Sequence, residues 1–248
     1  FILLKIVAYP IIQSGLKTVI MDNLEVIGHK QVELVTSWMH ERLKDVIVVA
    51  SNPNVVNSVK TTAKEKGYKD TLKYMETLVT EYGYKGAFIS NNNGLITLAT
   101  SEDRVGNDIS KMDFFKHAIH GKTFSSGIIP SKVPLINEFD EYETGLPTMF
   151  VASPLKDDDE NTIGVVVLRL HVGILSNLMQ SYAYGKTGES YLVNKEGYML
   201  TESRFTKHLK KTGTVKIEPP EPSSPNVMPI KMAPIQAKII RVSYLMSS

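Results

Sequence analysis

The chain reads as an α+β fold: a long N-terminal helix, then an antiparallel five-stranded sheet with helices packed on it, then a second, smaller and incomplete module. Three observations carry this. Apolar residues recur three and four apart from Thr18 to Ser51 without a proline, which is the helical period. Two apolar runs flank an Asn-Gly turn at Asn93-Gly94, the strongest short hairpin signal. The run Ile163-Gly-Val-Val-Val-Leu168 is continuous in the way of a strand buried on both faces.

A chain of 248 residues holds one large domain or two of roughly 100 to 150 residues. Its 42% apolar and 22% charged residues give the ordinary globular balance, so folding is expected over most of the length. The formal charge is only +2, and Lys and Arg alternate with Asp and Glu instead of forming basic runs, which leaves no footprint for DNA or RNA. The absence of cysteine excludes disulfides, thiolate metal sites and thiol nucleophiles together.

Residues 1–17 are apolar but broken by Lys5, Gln13 and Lys17, with Pro10 in the middle. They fall short of the ~20 apolar residues of a clean bilayer span. Two readings stay open, a buried or membrane-adjacent helix and the remnant of a transmembrane anchor; the segment is taken as membrane-adjacent.

Residues 18–82 are helical. The stretch Thr18 to Ser51 presents Ile20, Leu24, Ile27, Leu34, Trp38 and Val49, and at 1.5 Å per residue is a stalk ~45 Å long. Asn52-Pro53 ends it, because proline cannot donate the next hydrogen bond and pushes the residue before it out of the helical region. Asn54 to Tyr82 is a second helical stretch, interrupted by Gly67, with Leu72, Met75, Leu78 and Val79 on its apolar face.

Residues 83–180 form the sheet module. Strands are expected over Gly86–Ser90, Leu95–Ala99, Thr123–Ile129, Thr148–Pro154 and Thr162–His171, with a short helix over Asp113–His120 and an apolar helix over Val172–Met179. Residues 181–248 begin with an echo of the first hairpin: Glu189–Val193, a turn at Asn194–Gly197, then Tyr198–Leu200. From Lys216 the chain is proline-rich, a composition for extended or disordered chain, and only Ile235–Met246 has strand character. The second module is therefore expected to be incomplete.

Five segments, in order, resemble the double Cache domain, a PAS-like extracytoplasmic sensor of bacterial chemoreceptors, histidine kinases and diguanylate cyclases. They are Gln31-Val-Glu-Leu-Val-Thr-Ser-Trp38 through Ala50-Ser-Asn-Pro53; Asp113-Phe-Phe-Lys-His-Ala-Ile-His-Gly-Lys122; Ala152-Ser-Pro-Leu155; Ile163-Gly-Val-Val-Val167; and Gly185-Lys-Thr-Gly-Glu-Ser-Tyr-Leu-Val-Asn194 with Thr201-Glu-Ser-Arg-Phe205. The resemblance implies a membrane-distal module that binds a small molecule, a smaller membrane-proximal module, and a homodimer paired through the N-terminal helix. It also implies anchoring in the inner membrane of the full receptor, with this region periplasmic. Residues 83–180 would be the distal module and 181–248 the proximal one. Members that bind amino acids carry an aspartate late in the last distal strand, against the ligand's ammonium group. This chain has Arg169 there, which favours an anionic organic acid. The ligand site implied is Phe114, Phe115, His117, Ser125, Ser126, Phe150 and Arg169, with no cofactor, no metal and no catalytic residue.

Each constellation also has a plainer reading. Arg169, in an apolar strand, is too costly to bury unpaired; it faces solvent, pairs with a carboxylate, or meets an anion. Phe114 and Phe115 are core, or one lines the pocket; Trp38 is core or dimer interface. His117 and His120, three apart, could share a metal but have no clear third ligand. Asp157–Glu160 lacks the alternate ligand spacing of a calcium loop and reads as a hairpin tip. Ser125-Ser126-Gly127 has no nucleophile elbow around it, and Gly185-Lys-Thr-Gly188 lacks the spacing of a phosphate loop. Sensing is the favoured function, over a structural dimerisation or stalk domain and over a hydrolase.

Overall fold

In the computed structural model the described residues are 8–61, 65–131, 134–136, 142–181, 188–193, 199–201, 203, 205, 211, 215–217 and 230–232. Helix α1 runs unbroken from Tyr9 to Ala50, 42 residues, or ~63 Å. It thus begins well before Thr18. Pro10 interrupts nothing, because it stands in the first turn, where a missing N–H leaves no hydrogen bond unmade. Asn52 accepts a hydrogen bond from the Asn54 N–H at 3.0 Å and caps the short α2, Pro53–Ser58. The expected second helical stretch is two helices: α2 ends at Ser58 and α3, Lys66–Tyr82, begins just before Gly67, which lies inside it and does not interrupt it. Gly83 closes α3 in the left-handed conformation.

The sheet is five-stranded and antiparallel throughout, as the sequence predicts, in the order β2-β1-β7-β6-β3. Its members are β1 (Gly86–Asn91), β2 (Ile96–Ala99), β3 (Phe124–Pro130), β6 (Pro147–Lys156) and β7 (Thr162–His171). The pair β4 (Leu135–Ile136) and β5 (Tyr142–Glu143) stands outside it. Helix α4 (Asp113–Ile119) lies between β2 and β3 in the chain, and α5 (Gly173–Ser181) follows β7. The β1–β2 turn depends on Gly94: its φ is +86°, and a Cβ there would stand 2.7 Å from the Ser110 backbone nitrogen.

Two cores sandwich the sheet. On one face Trp38, Val46 and Val49 of α1 meet Val151, Leu155, Val166, Leu168 and Leu170. On the other, Phe114, Phe115 and Ala118 of α4 meet Ile96, Ala152, Val165 and Val167. Strand β7 is buried on both sides, so successive residues serve opposite cores. Tyr84, just before β1, ties the sheet to α1: its hydroxyl donates to the Asp45 carboxylate, which also pairs with Arg42 at 3.1 Å. Burial and that bond push the Tyr84 phenol above its usual range.

The N-terminal half of α1 projects beyond this packing, and Tyr9, Ile12, Leu16, Val19 and Val26 are exposed on it. Buried Gln31 marks the transition. Its side-chain amide donates to the Met179 carbonyl at 3.0 Å and to the Ser190 hydroxyl, joining α1 to the end of α5 and to the chain that follows it. Of the echo hairpin, the described part is one antiparallel bridge, Val193 with Met199, beside a Leu200 N–H to Leu192 carbonyl bond of 2.8 Å. A short antiparallel pair, β8 (Val215–Ile217) with β9 (Ile230–Met232), stands on either side of the run from Pro219 to Pro229 in the sequence. Ile235–Met246, residues 1–7 and the Gly185-Lys-Thr segment lie outside the described residues.

Candidate functional site

Alternation along β7 sets Arg169 on the α4 face of the sheet, with Val165 and Val167. In register it stands opposite Phe150 on β6 and Gly86 on β1. Gly86 brings no side chain to the guanidinium on that strand, and a Cβ there would meet the Thr100 hydroxyl at 3.7 Å. The main chain of Arg169 is held, its carbonyl accepting from the Lys85 N–H at 2.8 Å. Its side chain is half-buried. Both Nε and Nη2 are shielded from solvent, and neither has a hydrogen-bond partner among the described residues. Burial, then the nearby Arg104 charge, lowers its pKa from the ordinary arginine value. A carboxylate partner would do the opposite.

The wall beside Arg169 is aromatic. Phe88, Phe114 and Phe150 form a triangle with ring centroids 5.0 to 6.5 Å apart, Phe114 stacked on Phe150 and Phe88 edge-on to Phe150. Phe115 is buried in the same core. Ser126 braces the wall rather than facing it freely, accepting from the Phe150 N–H at 3.0 Å and donating to the Gly127 carbonyl at 2.7 Å. A register shift between Ser125 and Ile128, where Gly127 takes a φ of +68°, makes this arrangement possible.

The structure separates other sequence-predicted residues from this group. Ser125 pairs in register with Val151, a member of the α1-side core, so it faces the opposite side of the sheet. Its hydroxyl accepts from the Gly127 N–H at 3.3 Å. His117 is exposed on the outer side of α4, stacked on Phe124 at 4.1 Å between centroids. His120 is also exposed, its Nδ1 2.7 Å from the Lys116 carbonyl. No group of three potential metal ligands occurs among the described residues.

Three residues join the site without a signal strong enough to nominate them from sequence. Phe88 shares the face of Gly86 by strand alternation, a pattern legible once β1 is phased against its partner. Arg104 comes from the 3-10 turn Glu102–Arg104 and is paired with Asp103 at 3.6 Å; its approach to Arg169 is purely tertiary. His171 lies two residues beyond Arg169 at the edge of the site, opposite Thr148, where it accepts from the Gly173 N–H at 3.2 Å and borders a small pocket with Trp38, Arg42 and Tyr84 of the α1 side. Burial, then Lys85 and Arg169, lowers its pKa. This end of the sheet is thus cationic, with an apolar wall.

An open cleft of about 590 Å³ lies elsewhere, where the C-terminal end of α1 and α2 meet the β6–β7 hairpin, and contains none of these residues. Its basic residue, Lys156, is already paired with Glu160 at 2.6 Å. The Asp157–Glu160 stretch is the tip of that hairpin, closed by Asp157 accepting from the Asp159 and Asn161 N–H groups.

Residues 12–230 match the family described as the Cache domain. No match was found among curated proteins. Solved structures with a similar fold include the sensor domain of the Vibrio cholerae histidine kinase DctB, with a TM-score of 0.57 and 8% identity over 74% of this chain and 67% of that one. The sensory domain of the Campylobacter jejuni chemoreceptor Tlp3 with isoleucine bound matches with a TM-score of 0.54 and 14% identity, over 79% of this chain and 75% of that one. The ligand-binding domain of the Pseudomonas fluorescens chemoreceptor CtaA in complex with L-serine matches with a TM-score of 0.51 and 17% identity, over 84% and 83%.

Proposed function

The chain belongs to the Cache domain family, and on that premise we propose that it is the extracytoplasmic part of a bacterial membrane receptor that senses a small organic anion. The observation that carries the reading is Arg169. Two of its donors are buried beside an aromatic wall without an acceptor among the described residues. A charge so placed is unfavourable unless something pairs with it. A carboxylate satisfies a guanidinium with two parallel hydrogen bonds, and the surrounding phenylalanines suit the carbon skeleton of a small acid.

Arg169 and Phe150 hold the anion and its adjacent apolar part; Phe114 and Phe115 back the wall, and Ser126 fixes Phe150. His117 and Ser125 stand away from this contact. The domain has no catalytic role. Binding favours one arrangement of the sheet against α1, and the long helix carries the difference toward the membrane in a homodimer paired through that helix. No helix among the described residues is long and apolar enough to cross a membrane.

An amino-acid ligand would need an acceptor for its ammonium group beside Arg169, and the neighbouring charges named above are Arg104, His171 and Lys85, with Asp103 engaged by Arg104. Titration calorimetry with acetate, lactate, succinate and L-serine tests the choice. The acids are expected to bind and L-serine not. Arg169→Ala weakens the acid roughly ten- to a hundred-fold, as expected for a charged hydrogen bond of about 1.5 to 3 kcal/mol. Binding of L-serine alone, or unchanged affinity in Arg169→Ala, refutes the reading.

A further inference from the structure

Helix α5 is held near both ends by groups outside it. At its start the His171 Nδ1 accepts from the Gly173 N–H at 3.2 Å, and so serves one of the first-turn donors that have no partner within a helix. The chain is built for this contact. A Cβ at residue 173 would stand 2.5 Å from the His171 Cε1 and 2.7 Å from its Nδ1, so glycine is what lets the imidazole lie over the helix start. Near the other end the Met179 carbonyl accepts from the Gln31 amide of α1 at 3.0 Å and from the Ser190 hydroxyl at 2.7 Å. Leu175 and Met179 are buried between these ties, Leu175 in the core that holds Trp38 and Val46 of α1.

Accepting at Nδ1 requires a lone pair there, so the ring is neutral with its proton on Nε2. A second proton turns Nδ1 into a donor facing another donor. It also sets a positive charge at the positive end of the helix dipole. Nothing around the ring offsets that charge. Burial lowers its pKa first, then the charges of Lys85, just before β1, and of Arg169 on β7. Arg42 of α1 borders the same small pocket, as do Tyr82 at the end of α3 and Tyr84 after it. The α1 carboxylate on this side, Asp45, is engaged by Arg42 and Tyr84. Helix α5 carries no acidic or basic side chain, and the residue opposite on β6 is the neutral Thr148.

We propose that His171 is a proton switch on α5: neutral, it caps the helix and keeps it fastened against α1; protonated, it leaves Gly173 and loosens the start of α5. Because the ring titrates below its ordinary value of about 6.5, α5 is capped at pH 7 and uncapped as pH falls toward 5. The change passes to α1 through Leu175 and through the Met179 tie to Gln31. This route needs no ligand at Arg169, so the switch goes beyond the anion reading and does not rest on it. In a sensor domain it makes acidification a second input, delivered to the same long helix.

Trp38 is the one tryptophan of the chain and borders the small pocket with His171, so its emission reports the switch. Titrating the whole chain from pH 8 to pH 5 gives a single emission transition with a midpoint below about 6.5. His171→Asn, whose Oδ1 accepts in the place of Nδ1 at every pH, loses that transition; His40→Asn, two residues from Trp38 on α1, keeps it. Amide exchange of the unsubstituted chain, read as protection factors, drops about ten-fold in α5 between pH 7 and pH 5, the effect of one lost cap, while β7 stays protected. Gly173→Ala, whose methyl displaces the ring, shows the lower α5 protection already at pH 7. A Trp38 transition that persists in His171→Asn, equal α5 protection at the two pH values, or full α5 protection at pH 7 in Gly173→Ala overturns the switch. A loss of protection spread evenly over α5 and β7 overturns it in favour of general acid unfolding.

Discussion

Replacing Arg169 with methionine should move stability and binding in opposite directions. The substitution keeps a flexible stem of similar reach and removes Nε and Nη2, the two donors without an acceptor among the described residues. Exchanging buried charge for apolar atoms gains up to a few kcal/mol where burial is complete; for a half-buried side chain the low end applies, about 1 kcal/mol. In a chain of this length that raises the melting temperature by about 2 to 4 °C without ligand. With an organic acid at ~100 times its dissociation constant, the unsubstituted chain gains about 2.7 kcal/mol. If methionine weakens the acid a hundred-fold, the same concentration is worth only about 0.4 kcal/mol. The order of the two melting curves therefore inverts on adding the acid. Paired thermal melts with and without succinate or lactate read this directly. A ligand-free variant that melts several degrees lower would mean that the guanidinium is satisfied and structural, and equal stabilisation of both proteins by the acid would remove Arg169 from the site.

The remaining tests address the frame around the site. Gly94→Ala forces a Cβ to 2.7 Å from the Ser110 nitrogen at a φ of +86°, and a loss of about 2 kcal/mol is expected in urea unfolding. Tyr84→Phe removes the hydroxyl that donates to Asp45 and should lose about 1 to 2 kcal/mol, read as a lower urea midpoint with an unchanged slope. His171 has its pKa lowered by burial and by Lys85 and Arg169, so the unfolded chain binds the proton more readily. Its contribution is present above the unfolded pKa of about 6.5 and is lost as pH falls through the lower folded value. Urea midpoints should thus fall less between pH 7 and pH 5 in His171→Gln than in the unsubstituted chain; an identical fall would assign the acid sensitivity elsewhere.

Elements bounded by a change of period were legible in the sequence. Strand β7 and helix α4 lie where their apolar patterns put them, because Val165–Leu168 and Phe114–Phe115 must be buried whichever way the rest packs. The start of α1 was not legible, since Pro10 is a breaker inside a helix but harmless in a first turn, and nothing local says which applies. Within the site, Arg169 left three partners open from sequence. Its face follows from strand alternation, but its lack of a carboxylate among the described residues depends on neighbours brought from β1, β6 and the Glu102–Arg104 turn. Ser125 and Ser126 could not be told apart because a bulge changes which face each residue takes. His117 differs from Phe114 only by its angle on α4, and that angle is fixed by which side meets the sheet.

The double-sided burial of β7 divides two duties by the parity of residue number. Odd positions, from Val165 to Arg169, look toward α4 and the aromatic wall; even positions, from Val166 to Leu170, press on the α1 side. On the proposed function, retuning what is recognised and retuning how firmly α1 is gripped would be separate edits on a single ribbon of chain. Exchanging Arg169 would then change the ligand chemistry while Leu168 and Leu170 keep their packing on the α1 side.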